Sequence, residues 1–202
     1  MIKYISCGIF KPYIEMLNVD IDITYLDIEG HNYPKRLTRQ IQEEIDKCIG
    51  YEKIILLYGL CGNALLGIKA RDIPISVVRV HDCLSVLLGS KERFYDLFKD
   101  RLSKGWSCYS LELKPKVSFD DYDEEDREYL ESILCPKKDI YISFDMFFDK
   151  DYEPRYDEVI QGDLCFLKDI ISNDSNELLE MNKNERLKFS EKEIMVKEKE
   201  NG

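Results

Sequence analysis

The chain of 202 residues carries 40 acidic and 29 basic side chains, which gives a formal net charge of −11. Hydrophobic residues make up 44% of the sequence, enough to build a core and too many for a wholly disordered chain. The acidic balance argues against nucleic acid as a partner, and no apolar run is long enough to cross a bilayer. Because the N-terminus also lacks a secretory signal pattern, we expect a cytoplasmic protein.

Four segments in the first half of the chain have the composition of β-strands. Three are almost wholly apolar, as strands buried on both faces of a parallel sheet usually are. The other one alternates apolar and polar residues, which is typical of a half-buried strand. In chain order the predicted strands are residues 1–10, 21–26, 53–58 and 75–80.

Two segments between these strands have helical spacing. Apolar residues recur at every fourth position of residues 35–49, which predicts an amphipathic helix with Gly50 as its C-cap. Residues 63–70 predict a short helix between the last two strands. Strand, helix and strand in this order are the pattern of a parallel βαβ unit.

The second half of the chain gives a weaker pattern. Charges alternate in sign after residue 180, so we expect residues 174–202 to form a charged tail that is helical or disordered. Together, the predicted strands and helices indicate a single α/β domain over residues 1–173. It would consist of a mostly parallel open sheet flanked by helices, in a Rossmann-like three-layer arrangement. Its remaining predicted elements are helix 82–102 in one or two pieces, strand 106–113, an acidic loop and helix over 119–134, strand 139–144 and helix 163–171.

Cysteines follow the ends of three predicted core strands. These are Cys7, Cys61 and Cys83, and His81 lies two residues before the last of them. The carboxyl ends of neighbouring parallel strands meet at one edge of a sheet, so these side chains are expected to face one crevice. Thiolate and imidazole are ligands of zinc, and thiolates hold iron–sulfur clusters. The pattern predicts a zinc or iron–sulfur site, whereas the alternative is that buried cysteines serve as small apolar residues.

Further candidates lie beside these cysteines. Gly62 and Asn63 occupy a strand-to-helix turn, where backbone N–H groups can meet an anionic cofactor. Arg79 is a further candidate for binding the anion, unless its side chain pairs with a nearby acidic residue such as Asp82. The other cysteines lie in or beside periodic segments and are interpreted as core or incidental residues: Cys48, Cys108, Cys135 and Cys165.

His31 is the other of the two histidines of the chain and lies in the polar loop Gly30-His31-Asn32-Tyr33-Pro34. It is a candidate catalytic residue that carries a proton near neutral pH, or else a surface histidine. A cysteine at a strand-to-helix turn can also act as a nucleophile, and Cys61 with His81 or His31 as its base forms such a candidate pair.

Several motifs resemble those of the family catalogued as domain of unknown function 1638 (DUF1638). The central stretch YGLCGNALLGIKA, followed by VVRVHDCLSVLLGSKERF, is the most specific. Four further segments are similar to motifs of that family: SCGIF, the His-Asn-Tyr-Pro loop, GWSCYSL and IQGDLCFLKDIIS. The resemblance therefore spans residues 2–172. The chain departs from the pattern after residues 139–144, where Ser-Phe-Asp-Met stands in place of an Asp-Thr-Gly-like turn.

The resemblance implies a setting rather than a reaction. Members of the family occur in methanogens and anaerobic bacteria, often beside corrinoid-dependent methyltransferase systems. The positions that match the family's recurring cysteines and histidines are Cys7, His31, Cys61, His81 and Cys83. The spacing of His81 and Cys83 is similar to the His-x-Cys pair of zinc enzymes that activate thiols for methyl transfer, although the third cysteine precedes it here.

The leading hypothesis is therefore a metal-binding protein that serves corrinoid-dependent methyl transfer or one-carbon metabolism. Its partner would be a small-molecule ligand or a protein of a methyltransferase system, with neither nucleic acid nor a membrane involved. One alternative is a non-catalytic module that binds a small molecule or another protein. The other is an enzyme with a cysteine nucleophile.

Overall fold

A computed structural model of the protein describes residues 1–99, 106–109, 138–144 and 157–199. The acidic loop and helix predicted over residues 119–134 lie outside these ranges. The strands in chain order are β1 (Ile2–Cys7), β2 (Asp22–Leu26), β3 (Lys53–Leu57), β4 (Ile75–Val78), β5 (Trp106–Tyr109), β6 (Lys138–Ser143), β7 (Glu158–Gln161), β8 (Leu178–Met181), β9 (Glu185–Ser190) and β10 (Ile194–Lys199). The α-helices are α1 (Lys11–Leu17), α2 (Pro34–Lys47), α3 (Leu84–Leu87), α4 (Lys91–Phe98) and α5 (Cys165–Ile171).

The chain divides into two compact units, and each is described by itself. The first contains Met1–Lys91 and Asp163–Gly202, and the second contains Glu92–Gly162. The single domain over residues 1–173 stays a prediction. No helix of the described residues is long and apolar enough to span a bilayer.

The main sheet of the first unit has five strands in the order β2-β1-β3-β4-β8. The first four run parallel, and β8 is antiparallel to β4. β3 and β4 lie in the middle, where both faces of a sheet are covered, and this explains why residues 54–57 and 75–78 are all buried. The structure thus confirms an α/β protein with a mostly parallel sheet, whereas the three-layer arrangement stays a prediction.

Helix α2 is the amphipathic helix that the four-residue spacing predicts. Leu37, Ile41 and Ile45 are buried on one face. The predicted C-terminal end is wrong, because the helix ends at Lys47 and Ile49 is 86% exposed. Extended backbone at Cys48 ends the helix before the fourth apolar residue could join that face.

The connection between β3 and β4 is not the predicted helix over residues 63–70. It is a series of turns, and four of its residues have positive φ angles. Cys61, Gly62 and Asn63 take φ values of 46°, 64° and 73°, and Gly67 takes 87°. Left-handed residues at both ends of so short a segment prevent a continuous right-handed helix.

The charged segment after residue 174 forms strands rather than a helix or disorder, so that prediction is wrong for residues 178–199. β8 completes the main sheet, and β9 and β10 form an antiparallel hairpin. Met181, Leu187 and Met195 are buried. Leu187 lies between the exposed Arg186 and Lys188, and Met181 and Met195 each lie between residues that are exposed or half-buried. This alternation is typical of a strand with one buried face.

The second unit has a parallel sheet in the order β5-β6-β7. Ile140, Ile142 and Ile160 are buried on its described strands. β5 and β6 match the strands that the sequence predicts at residues 106–113 and 139–144, whereas β7 is not among the predicted strands.

Candidate functional site

The loops that follow β3 and β4 continue side by side beyond the strands. The Leu60 N–H donates to the Val80 carbonyl at 2.9 Å, and the Cys61 N–H donates to the His81 carbonyl at 3.2 Å. Gly59 allows this approach, since a Cβ placed there would lie 2.6 Å from the carbonyl carbon of Asp82. Two strand ends are thereby held in contact at the carboxyl edge of the sheet.

Three free thiols meet at this edge, and we call Cys7, Cys61 and Cys83 the thiol cluster. The Sγ atoms of Cys61 and Cys83 are 3.5 Å apart. Cys83 also forms a hydrogen bond with the thiol of Cys7, which ends β1. The Gly59 N–H donates to the Cys83 Sγ at 3.3 Å. The structure thus brings these three cysteines together at the strand ends, and their role as metal ligands stays a prediction.

The contacts within the cluster set the proton affinities of its thiols. The hydrogen bonds to Cys61 and Cys7, together with burial, raise the pKa of Cys83 well above its usual value. The hydrogen bond from Cys83 lowers the pKa of Cys7, although burial opposes this. Cys83 is thus a thiol that keeps its proton to a higher pH than usual, and Cys7 is one that ionises more readily than usual.

Tyr58 is a polar residue beside the cluster that the sequence reasoning did not select. Its side chain is only 1% exposed, and its hydroxyl has no hydrogen-bond partner among the described residues. Burial, followed by the charges of Cys7, Cys83 and Cys61, raises its pKa well above the usual value. A buried hydroxyl without a partner is costly, so it marks a place where a ligand could supply the missing hydrogen bond.

Among the described side chains, those of His81 and Arg79 form no hydrogen bond with the thiol cluster. His81 is exposed at the surface of its loop. Arg79 pairs with Glu177 at 3.7 Å and Glu193 at 3.5 Å, and it donates to the Asn176 carbonyl at 3.0 Å. Its charge is thus engaged by acids more distant in sequence than Asp82, and its role as an anion contact stays a prediction. The side chain of His31 lies outside the described part of the structure.

Gly62 and Asn63 line a pocket of about 900 Å³ beside the N-terminal end of α2. The opposite wall carries three cationic residues of that helix, Lys35, Arg36 and Arg39. The sequence reasoning missed these cations because they form the polar face of an amphipathic helix, which is ordinarily a solvated surface. The signal that could have found them is the first turn of the helix, which contains cations and no acidic residue.

The fold and the site define an α/β protein with a mostly parallel sheet and a cluster of free thiols where three parallel strands end. Residues 25–161 match the family described as "Protein of unknown function (DUF1638)". Because this match covers more than half of the chain, the protein belongs to that family. The matched segment contains Cys61, Cys83 and the residues that line the pocket, and it begins after Cys7. No curated protein and no solved structure shows significant similarity to the chain.

Proposed function

We propose that the thiol cluster binds a soft metal centre, either zinc or an iron–sulfur cluster, held by Cys7, Cys61 and Cys83. The observation that carries the proposal is the contact of Cys83 with both other thiols, 3.5 Å from the Cys61 Sγ and hydrogen-bonded to Cys7. Thiolates are the ligands that select these metals. A solvent molecule or a substrate thiol would complete a three-cysteine zinc site.

Two observations bear on the fit of a metal to these residues. The hydroxyl of Tyr58 has no hydrogen-bond partner among the described residues, and a molecule bound at the metal could accept a hydrogen bond from it. Within the same part of the chain, however, no group of three or more His, Cys, Asp or Glu side chains is already arranged to hold a metal ion. Metal binding therefore requires a local rearrangement. Rotation of the half-buried Cys61 side chain would supply this rearrangement and would leave the backbone of its loop in place.

Bound zinc would act as a Lewis acid that lowers the pKa of a coordinated thiol or water. Cys83 is buried and has a raised pKa, but it would release its proton when a metal binds, because only the thiolate is a strong ligand. Activation of a substrate thiol is the chemistry that suits corrinoid-dependent methyl transfer or one-carbon metabolism. We propose that setting in the cytoplasm, with a small thiol or a methyltransferase-system protein as partner.

Elemental analysis of protein purified without oxygen tests the metal proposal. We expect about one zinc ion per chain, or iron with matching sulfide, in the wild type. Cys83→Ser should lose the metal, because it removes the central thiol. The matched control is Cys165→Ser, which changes an exposed cysteine outside the cluster. Wild-type protein that contains intact thiols and no metal, and that takes up no cobalt, would contradict the proposal.

A second candidate function is reversible disulfide formation between Cys61 and Cys83. Their Sγ contact of 3.5 Å would contract to about 2.05 Å on oxidation. With oxidised glutathione as the oxidant, the two thiols lose two protons and two electrons, and two molecules of reduced glutathione are released. Mass spectrometry of metal-free protein after this treatment should show a Cys61–Cys83 bridge. Mixed disulfides with glutathione alone would exclude this candidate.

A further inference from the structure

We propose that the pocket beside the N-terminal end of α2 binds a small organic molecule through an oxyanion group, a phosphate or a carboxylate. The proposal is independent of the metal, because none of the thiols lines the pocket. We call this pocket, with Lys35, Arg36 and Arg39 on one wall and Gly62 and Asn63 on the other, the cationic pocket. Its volume of about 900 Å³ is within the range of pockets that hold small-molecule ligands.

The charge of the cationic pocket is unusual for this protein. The formal net charge of the chain is −11, yet the lining contains three cations and no acidic residue. Several other exposed cations of the first unit have carboxylate partners, as Lys47 has Glu44 and Arg71 has Asp46. Over the ranges that the structure describes, no carboxylate forms an ion pair with Lys35, Arg36 or Arg39.

The position of these cations on α2 is unfavourable without an anion. Lys35 and Arg36 lie in the first turn, where the helix dipole repels positive charge. Lys35 and Arg39 are four residues apart and Arg36 and Arg39 are three apart, so their like charges also repel each other. An oxyanion in the pocket would remove both penalties and would accept charge-assisted hydrogen bonds from Lys and Arg donors.

The two walls of the cationic pocket are fixed to each other. The Thr38 Oγ1 donates to the Ala64 carbonyl at 2.7 Å, which joins α2 to the loop after β3. A Cβ on Gly62 would lie 3.2 Å from Pro34 Cγ, so the loop already packs closely against the first turn of α2. Further along, Gln42 exchanges two hydrogen bonds with the backbone of Lys69. A pocket with fixed walls binds its ligand at a smaller entropic cost.

The loop wall also connects the cationic pocket to the thiol cluster. Gly62 and Asn63 directly follow Cys61 in the chain and share its left-handed backbone conformation. The exposed ring of Tyr33 adds an apolar surface at the same pocket. The ligand class is therefore an organic anion with its charged group on α2 and its remaining part against the loop that carries Cys61.

Isothermal titration calorimetry of the full-length protein at low ionic strength tests this inference, with inorganic pyrophosphate and malonate as separate probes. We expect saturable binding of at least one probe, weakened by added sodium chloride. Arg36→Gln combined with Arg39→Gln should weaken binding by at least about tenfold, because hydrogen bonds to charged groups are lost. Tighter binding of pyrophosphate would support a phosphate ligand, and tighter binding of malonate would support a carboxylate ligand.

Lys11→Gln combined with Lys47→Gln is the matched control, since it removes two exposed positive charges outside the cationic pocket. It should bind the probes as the wild type does. An equal loss of affinity in the control would show that only net charge matters and would overturn the site, as would the absence of binding by the wild type. Thermal unfolding without anion provides a second readout, in which the double Arg variant should be at least as stable as the wild type.

Discussion

At the scale of single residues, Tyr58 and Tyr4 make a useful contrast. Both are buried in the main sheet or at its end, but only Tyr4 has a partner for its hydroxyl, the carbonyl of Ile171 at 2.5 Å. The Tyr58 hydroxyl has none among the described residues. A buried polar group without a partner opposes folding, whereas a satisfied one supports it.

Tyr58→Phe should therefore stabilise the metal-free protein by about 1–3 kcal/mol, because it removes an unsatisfied buried hydroxyl. Tyr4→Phe should destabilise it by about 1 kcal/mol, since a hydrogen bond is lost. Urea denaturation of both variants measures the difference. A Tyr58→Phe protein that is less stable than the wild type would mean that the hydroxyl has a partner, and the case for a ligand at that point would be lost.

At the scale of elements, the thiol cluster depends on how closely the ends of β3 and β4 approach. Gly59 follows β3, and a Cβ there would lie 2.8 Å from the backbone nitrogen of Cys83 as well as against Asp82. Contacts this short are with backbone atoms, so the two loops must separate if a side chain is added. The separation would also break the hydrogen bond from the Gly59 N–H to the Cys83 Sγ.

Gly59→Ala should destabilise the protein by about 1–3 kcal/mol and should expose Cys83 to alkylation. Gly50→Ala is the control, because a Cβ there meets nothing within 4 Å and only the φ angle of 80° opposes it. Its cost should be about 1 kcal/mol, with Cys83 still protected. Equal alkylation of Cys83 in the two variants would show that Gly59 does not hold the strand ends together.

The elements also show what the sequence can and cannot predict. The strands β1, β3 and β4 were predictable because the central strands of a parallel sheet are apolar throughout. The turns between β3 and β4 differ from the predicted helix. Residues 64–70 carry helical apolar spacing, and this outweighed the signal of Gly62 and Asn63, which tolerate the left-handed backbone that the turns require. Strands β9 and β10 were mistaken for a charged tail, because their charges mask single buried residues such as Leu187 and Met195.

The site was predictable to the extent that it follows from topology. Placing Cys7, Cys61 and Cys83 at the ends of neighbouring parallel strands was sufficient to predict that they meet. The partner of Arg79 was not predictable, because Glu177 and Glu193 come from a part of the chain whose fold the sequence did not reveal. The sequence likewise cannot show that a hydroxyl such as that of Tyr58 is buried without a partner.

At the scale of the whole molecule, the negative charge is in excess, but the positive charges are not spread evenly over the surface. The chain has 40 acidic and 29 basic side chains, and many described pairs of opposite charge lie on exposed surfaces where they contribute little stability. The cationic pocket differs from this background because three cations without described carboxylate partners line it together. An acidic protein with such a pocket would repel most anions and still admit one that the pocket fits.

The pH dependence of unfolding in alkaline solution is a property of the whole molecule to which Cys83 and the neighbouring Tyr58 should contribute. The folded state holds the protons of Cys83 and Tyr58 more tightly than the unfolded chain does, because their pKa values are raised well above 9.0 and 10.0. As the pH rises past 9.0, the unfolded chain therefore loses protons that the folded chain keeps, and the free energy of unfolding falls. Cys7, whose pKa is lowered, acts in the opposite sense only below that pH.

We expect urea denaturation of reduced, metal-free protein to give a lower free energy of unfolding at pH 10 than at pH 8. Cys83→Ala should reduce this slope, because it removes a buried thiol that keeps its proton in the folded state. Cys165→Ala should leave more of the slope in place, because this exposed thiol has a pKa that its contact with Asp163 raises less than the cluster raises that of Cys83. If the wild type and Cys83→Ala lose stability equally between these pH values, the pKa of Cys83 is not raised in the folded protein, and the contacts within the cluster do not hold its proton.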